Sequence, residues 1–179
     1  VGWTCPECGL DYDTIAPTDA PVAVRSYPRR FRALLAGFDE DEDAEALVRR
    51  KPDAHTWSAL AYTAHVADLF AAIADAVSRM LVEDNPTLRL PDPDAPGFEA
   101  AANAEAVEAV LGRLGAAAER LAAVLEGVPA GDWRRTGTFP WGERDVLTMA
   151  RNAVHEGYHH LRDVERVLTA VRGRPSSRD

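Results

Sequence analysis

Residues 84–98 hold Pro86, Pro91, Pro93, Pro96 and Gly97 in one short stretch. Such a segment cannot continue a helix, because proline lacks the amide proton and clashes with the preceding turn. It divides the chain and must itself form a long crossover. On both sides of it the apolar residues recur at helical spacing. Phe31, Leu34, Leu35 and Phe38 mark a first helix that Ser26 could cap, with Gly37 near its end. Ala61, Tyr62, His65, Leu69, Ala72, Ile73, Ala76 and Met80 mark a second, for which Ser58 is a good cap. Val107, Val110, Leu111, Leu114, Ala118, Leu121 and Leu125 mark a third over 99–126, ended by Gly127-Val128-Pro129. Leu147, Ala150, Val154, Tyr158, Leu161, Val164 and Leu168 mark a fourth over 143–171.

The acidic run 39–45 reads as a solvated loop or a helix start. The connection 128–142, with Trp133, Phe139 and Trp141, reads as a cover over one bundle end. No strand pattern of period two stands out. The expectation is all-α: a four-helix bundle over 25–172, with an irregular arm at 1–24 and a disordered tail at 173–179.

Twenty basic residues against twenty-nine acidic ones give a net charge of −9. That argues against nucleic acid as a partner, since phosphate binding needs a basic surface. No apolar run approaches the ~20 residues of a membrane span. The opening residues lack a basic segment followed by an apolar one, so no signal peptide is expected. Two closely spaced cysteines fit a reduced, cytoplasmic protein. Lys51 is the sole lysine, and alanine is abundant, which suggests a GC-rich genome.

The fourth helical pattern contains His155-Glu156-Gly157-Tyr158-His159-His160. His155 and His159 are one turn apart and can converge on one point. His65, inward-facing on the second helix, is the best third ligand. Three imidazoles with an open position suit Zn²⁺ or Ni²⁺. Asp68 and Asp163 could orient the imidazoles. Glu156 is read either as a catalytic general base or as an exposed helix residue. His160 projects about 100° from His159 and is expected to line the pocket at most. The zinc-protease pattern His-Glu-x-x-His also matches, but Arg162 stands where its extended form has glycine and Glu165 where it has the third ligand.

Cys5-Pro6-Glu7-Cys8-Gly9 looks like half of a zinc ribbon. It predicts a second, structural Zn²⁺ at Cys5 and Cys8, completed by His55, His160, Asp11, Asp13 or a second subunit. A fold of the arm over the histidine site is a further option. A redox pair is the competing reading, without the strand-then-helix context it needs.

Trp57-Ser58, His65-Val66-Ala67-Asp68, a middle helix, and His155-x3-His159 followed by Leu161 together resemble the DinB/YfiT-like superfamily, over about Ser26 to Val171. The resemblance implies an up-down-down-up four-helix bundle and a metal-binding triad at His65, His155 and His159. It implies transfer of a low-molecular-weight thiol such as mycothiol to an electrophile, by way of a metal-bound thiolate. In some relatives one ligand of the fourth helix is Glu. Arg151, Asn152, Tyr158 and Arg162 are then candidate anchors for the thiol cofactor. Members often dimerise, so a homodimer is expected as well. The alternative is a non-catalytic, metal-stabilised bundle that acts by binding or dimerisation.

Overall fold

The computed structural model describes residues 3–92 and 95–172. The stripe of Phe31 and Leu35 belongs to α1 (Asp19–Ala36), which begins well before Ser26. Ala20, Pro21 and Val24 carry its buried face toward the N terminus, and Pro21 lies in the first turn, where a missing N–H costs little. Ser26 is therefore not a cap; its hydroxyl donates to the Ala23 carbonyl at 2.7 Å. The acidic run leads into α2 (Ala44–Arg49), capped by Asp43, whose carboxylate accepts from the Ala46 amide at 3.0 Å.

Ser58 caps α3 (Ala59–Val82), as expected, accepting from the Ala61 amide at 3.1 Å. By length and composition α3 is apolar enough to cross a membrane, but 72% of that window is buried inside the protein. The helix expected over 99–126 is broken into α4 (Phe98–Ala104) and α5 (Val107–Glu126). Arg49 explains the break: its guanidinium donates to the Asn103 and Glu105 carbonyls at 3.0 and 2.9 Å, satisfying groups that a continuous helix would have used.

Two short strands, not expected from the sequence, follow: β1 (Thr136–Phe139) and β2 (Gly142–Asp145), antiparallel with Thr136 opposite Asp145. At four residues each, they are too short for a visible alternation. Gly137 lets this hairpin pack on the crossover and on α3, since a Cβ there would lie 2.6 Å from the Leu88 side chain and 3.1 Å from that of Met80. The start of the crossover is stitched to the same hairpin, with the Leu88 amide donating to Thr138 at 2.9 Å. Directly after β2, Asp145 accepts from the Thr148 amide at 2.8 Å and α6 (Val146–Arg172) begins.

Helices α1 and α3 each pack against both α5 and α6. Four helices thus form a ring in which α1 and α3 lie on one diagonal. Phe31, Phe70, Leu60, Ile73, Leu114 and Leu121 fill the centre. Leu147, expected in the core, is only partly buried, while Val146 and Met149 are buried. The irregular arm reaches only to Thr18. It lies on α6, with the Tyr12 hydroxyl donating to Asn152 at 3.0 Å and Arg151 donating to the Ile15 carbonyl at 3.1 Å. The tail expected at 173–179 lies outside the described residues.

Candidate metal centre

Gly157 sets the phase of α6. A Cβ on it would lie 2.4 Å from the Tyr27 ring, so only glycine admits α1 at this closeness. The Tyr27 hydroxyl completes the contact, donating to the Val154 carbonyl at 2.8 Å. With Gly157 facing the core, residues 156 and 160 lie about 60–100° to one side, at 100° per residue. Residues 155 and 159 lie about 160° round the helix, away from the core. The first pair meets α3. The second would face solvent if the arm did not cover it.

His65 on α3 converges with Glu156 and His160, one candidate ligand atom from each lying within 4.8 Å of the others. Glu156 Oε2 stands 3.2 Å from His160 Nε2 and 4.0 Å from His65 Nε2. The other ring nitrogen of His160, Nδ1, donates to Asp163 Oδ2 at 2.8 Å. Asp163 is itself held by Arg166. Two imidazole nitrogens and a carboxylate oxygen, with a second carboxylate fixing one ring, form a donor set that fits a divalent first-row cation.

His155 and His159 go elsewhere. They converge with Cys5 and Cys8, again within 4.8 Å, and a ligand atom of His159 also lies within that distance of one from His160 and one from Asp163. The structure therefore does not assemble the expected triad of His65, His155 and His159; it brings His65 together with the pair one residue further along. Helical spacing makes both pairs equally good, and the packing of Gly157 on Tyr27 decides which faces α3. Of the two carboxylates expected to orient imidazoles, Asp163 does so, whereas Asp68 is paired with Arg113.

Electrostatics follow this sorting. Burial, with the nearby His160 charge, pushes His65 down to about 4, so its imidazole is neutral and able to ligate. Burial also opposes a charge on His160, but Asp163 and Glu156 hold its proton up to about 9. Glu156 is partly buried, which alone would raise it; His155 and His160 hold it well below the usual carboxylate range. The Cys5 thiol is pushed up by burial, yet hydrogen bonds from the Cys8 and Glu7 amides, with the His155 ring close by, bring it to about 6. Burial raises Cys8.

A cavity of about 720 Å³ opens onto His65 and Glu156, and His155 lines it as well. Its apolar lining includes Trp3, Leu69, Leu90 and Trp141, and its polar lining includes Arg144, Arg151 and Asn152. Arg151 and Asn152 thus lie where a ligand could meet them. Tyr158 and Arg162 do not line it; they pair with each other at 3.3 Å. The contribution of the arm (Trp3, Tyr12, Asp13) and of the hairpin (Trp141, Arg144) was not legible beforehand. Neither segment has a periodic pattern to orient it.

A family model described as the DinB superfamily matches residues 24–164. No curated protein matches the chain. Among solved structures, YfiT from Bacillus subtilis, described as a probable metal-dependent hydrolase with an unusual four-helix bundle topology, superposes with a TM-score of 0.76. The two are 14% identical over 87% of this chain and 89% of that one. A mycothiol-dependent maleylpyruvate isomerase superposes with a TM-score of 0.67 at 12% identity, over 86% of this chain and 62% of its own. This chain therefore spans less than two thirds of the isomerase. At such identities the likeness is one of fold.

Proposed function

The chain belongs to the DinB superfamily, and from that premise we propose that it is a divalent-metal-dependent enzyme transferring a low-molecular-weight, mycothiol-like thiol to an electrophilic carbon. His65, Glu156 and His160 would hold the cation. The observation that carries this reading is the cavity of about 720 Å³ that His65 and Glu156 help to line. A bundle that used the metal for stability alone and dimerised through its helix faces has no need of a chamber at its ligands.

When bound, the cation supplies positive charge that favours thiolate over thiol at neutral pH. The chain's own residues do the rest. Asp163 fixes the ring of His160 through Nδ1. Trp3, Leu90 and Trp141 give the chamber apolar walls. Arg144 and Arg151 offer positive charge and donors to the carboxylate and sugar groups of such a thiol, and Asn152 lines the same wall. In this arrangement Glu156 is a ligand and not the general base considered from the sequence. The thiol's proton leaves to solvent, the sulfur forms a bond to carbon, and the leaving group departs with its electron pair.

The test is consumption of mycothiol in the presence of monochlorobimane by metal-loaded protein. Turnover is expected, with His65→Ala lowering it about a hundredfold or more. No turnover by the loaded protein, with His65→Ala indistinguishable from it, contradicts the reading.

A further inference from the structure

The arm folds as a tight knuckle. The Cys5 amide donates to the Leu10 carbonyl and the Gly9 amide to the Cys5 carbonyl, both at 2.9 Å. Gly9 has φ +76°, a left-handed conformation that glycine adopts without strain. The turn brings Cys5 and Cys8 over α6, onto the face opposite Gly157. There they meet His155 and His159, and one candidate ligand atom from each of the four residues lies within 4.8 Å of all the others.

The state of the two imidazoles is unusual for an ordinary packing contact. His155 is only 7% exposed, with the rings of Trp3 and Tyr12 against it at 5.1 and 5.7 Å. Its Nδ1 donates to Glu156 Oε1 at 3.1 Å. Its Nε2 is buried with no hydrogen-bond partner among the described residues. An unpartnered buried nitrogen is costly and rare. His159 has the matching arrangement. Its Nδ1 lies 3.7 Å from Cys5 Sγ, and its Nε2 lies 3.5 Å from both Asp163 Oδ2 and Glu7 Oε2. Each ring thus turns one nitrogen inward and the other to a carboxylate, the disposition of histidines that ligate metals.

We propose that Cys5, Cys8, His155 and His159 bind one Zn²⁺ ion, distinct from the cation of His65, Glu156 and His160. Two thiolates and two imidazoles suit tetrahedral Zn²⁺ and balance its charge. Four protein ligands leave no open position, so the ion is structural. It fastens the arm to α6 and so holds Trp3, Tyr12 and Asp13 in place as one wall of the cavity. The missing half of the zinc ribbon is supplied by the helix that carries the other site.

Zinc content of the full chain after dialysis, compared across variants, reads the two sites separately. The wild type should retain about two equivalents, Cys5→Ser/Cys8→Ser about one, and His65→Ala about one. X-ray absorption of zinc-loaded His65→Ala protein should show sulfur neighbours at about 2.3 Å together with nitrogen. Where the cysteine variant fails to fold, the wild type itself answers: both thiols should resist labelling when zinc-loaded and react after chelation. Unchanged zinc content in a folded cysteine variant, absence of sulfur scattering, or equal labelling with and without zinc overturns the proposal. Full zinc retention by His65→Ala would instead count against the other site and leave this one standing.

Discussion

The carboxylate of Glu156 accepts the Nδ1 proton of His155 across 3.1 Å with one oxygen, and turns the other toward His160 and His65. One side chain therefore serves both clusters, as candidate ligand in the first and as the group that orients a ring in the second. Removing its charge should reach both. Glu156→Gln is expected to lose the cation held with His65 and to weaken zinc binding at Cys5 and Cys8 by about 10–100-fold. Competition against a chelator of known affinity measures this; an unchanged affinity of the cysteine site contradicts the link.

Asp163 touches the same two clusters from the other side, at 2.8 Å from His160 and 3.5 Å from His159. It is a positioning residue. Asp163→Asn should lower metal affinity at the His65 site by about 10–100-fold, while Asp68→Asn, which breaks the pair with Arg113 and reaches His65 only through its charge, should have a much smaller effect. Equal effects of the two substitutions would remove Asp163 from that role.

Gly157 opposes two tendencies. Replacing a helical glycine by alanine ordinarily stabilises by about 1 kcal/mol. Here the new methyl meets the Tyr27 ring at 2.4 Å, and overpacking typically costs about 1–3 kcal/mol. Gly157→Ala should therefore destabilise the protein in urea unfolding, and Tyr27→Leu should partly rescue it. A stabilised Gly157→Ala protein would show that the contact between α1 and α6 is loose.

Arg25 ties α1 to α5 through Glu119 at 2.9 Å and through Glu126. Its hydrogen bonds hold both carboxyls below their ordinary range. A depressed carboxylate adds stability above its unfolded value, near 4.5, which is lost as pH falls through the folded value. The stability difference between wild type and Glu119→Gln/Glu126→Gln should stay constant well above the unfolded value, then close as pH falls below it. It should also shrink in high salt, since these groups are exposed. A difference that persists in acid contradicts an electrostatic tie.

Much of this was legible in the sequence. Ser58 as a cap, the inward direction of His65 and the crossover after Asn85 follow from local rules of spacing and backbone chemistry. So does the helix carrying the histidine run. The division of labour among the histidines does not follow, because it depends on how far α6 is rotated about its own axis. The apolar pattern points to Tyr158 as part of the core stripe, whereas Gly157, which has no apolar side chain, is the residue at its centre. Read from Gly157, the sequence puts 156 and 160 on the flank of the buried face and 155 and 159 outside it. The cysteine knuckle announced a metal, but only the fold of the arm across α6 names its partners. The break at Glu105 depends on Arg49, far away in sequence, and no local pattern reports it.

The sorting of the histidines is tested most directly by anomalous diffraction at the zinc edge from crystals of the zinc-loaded protein. The predicted result is one peak within about 2.0–2.2 Å of His65, Glu156 and His160, and a second bounded by Cys5, Cys8, His155 and His159. A single peak shared by His65, His155 and His159, with the cysteines unligated, would contradict it.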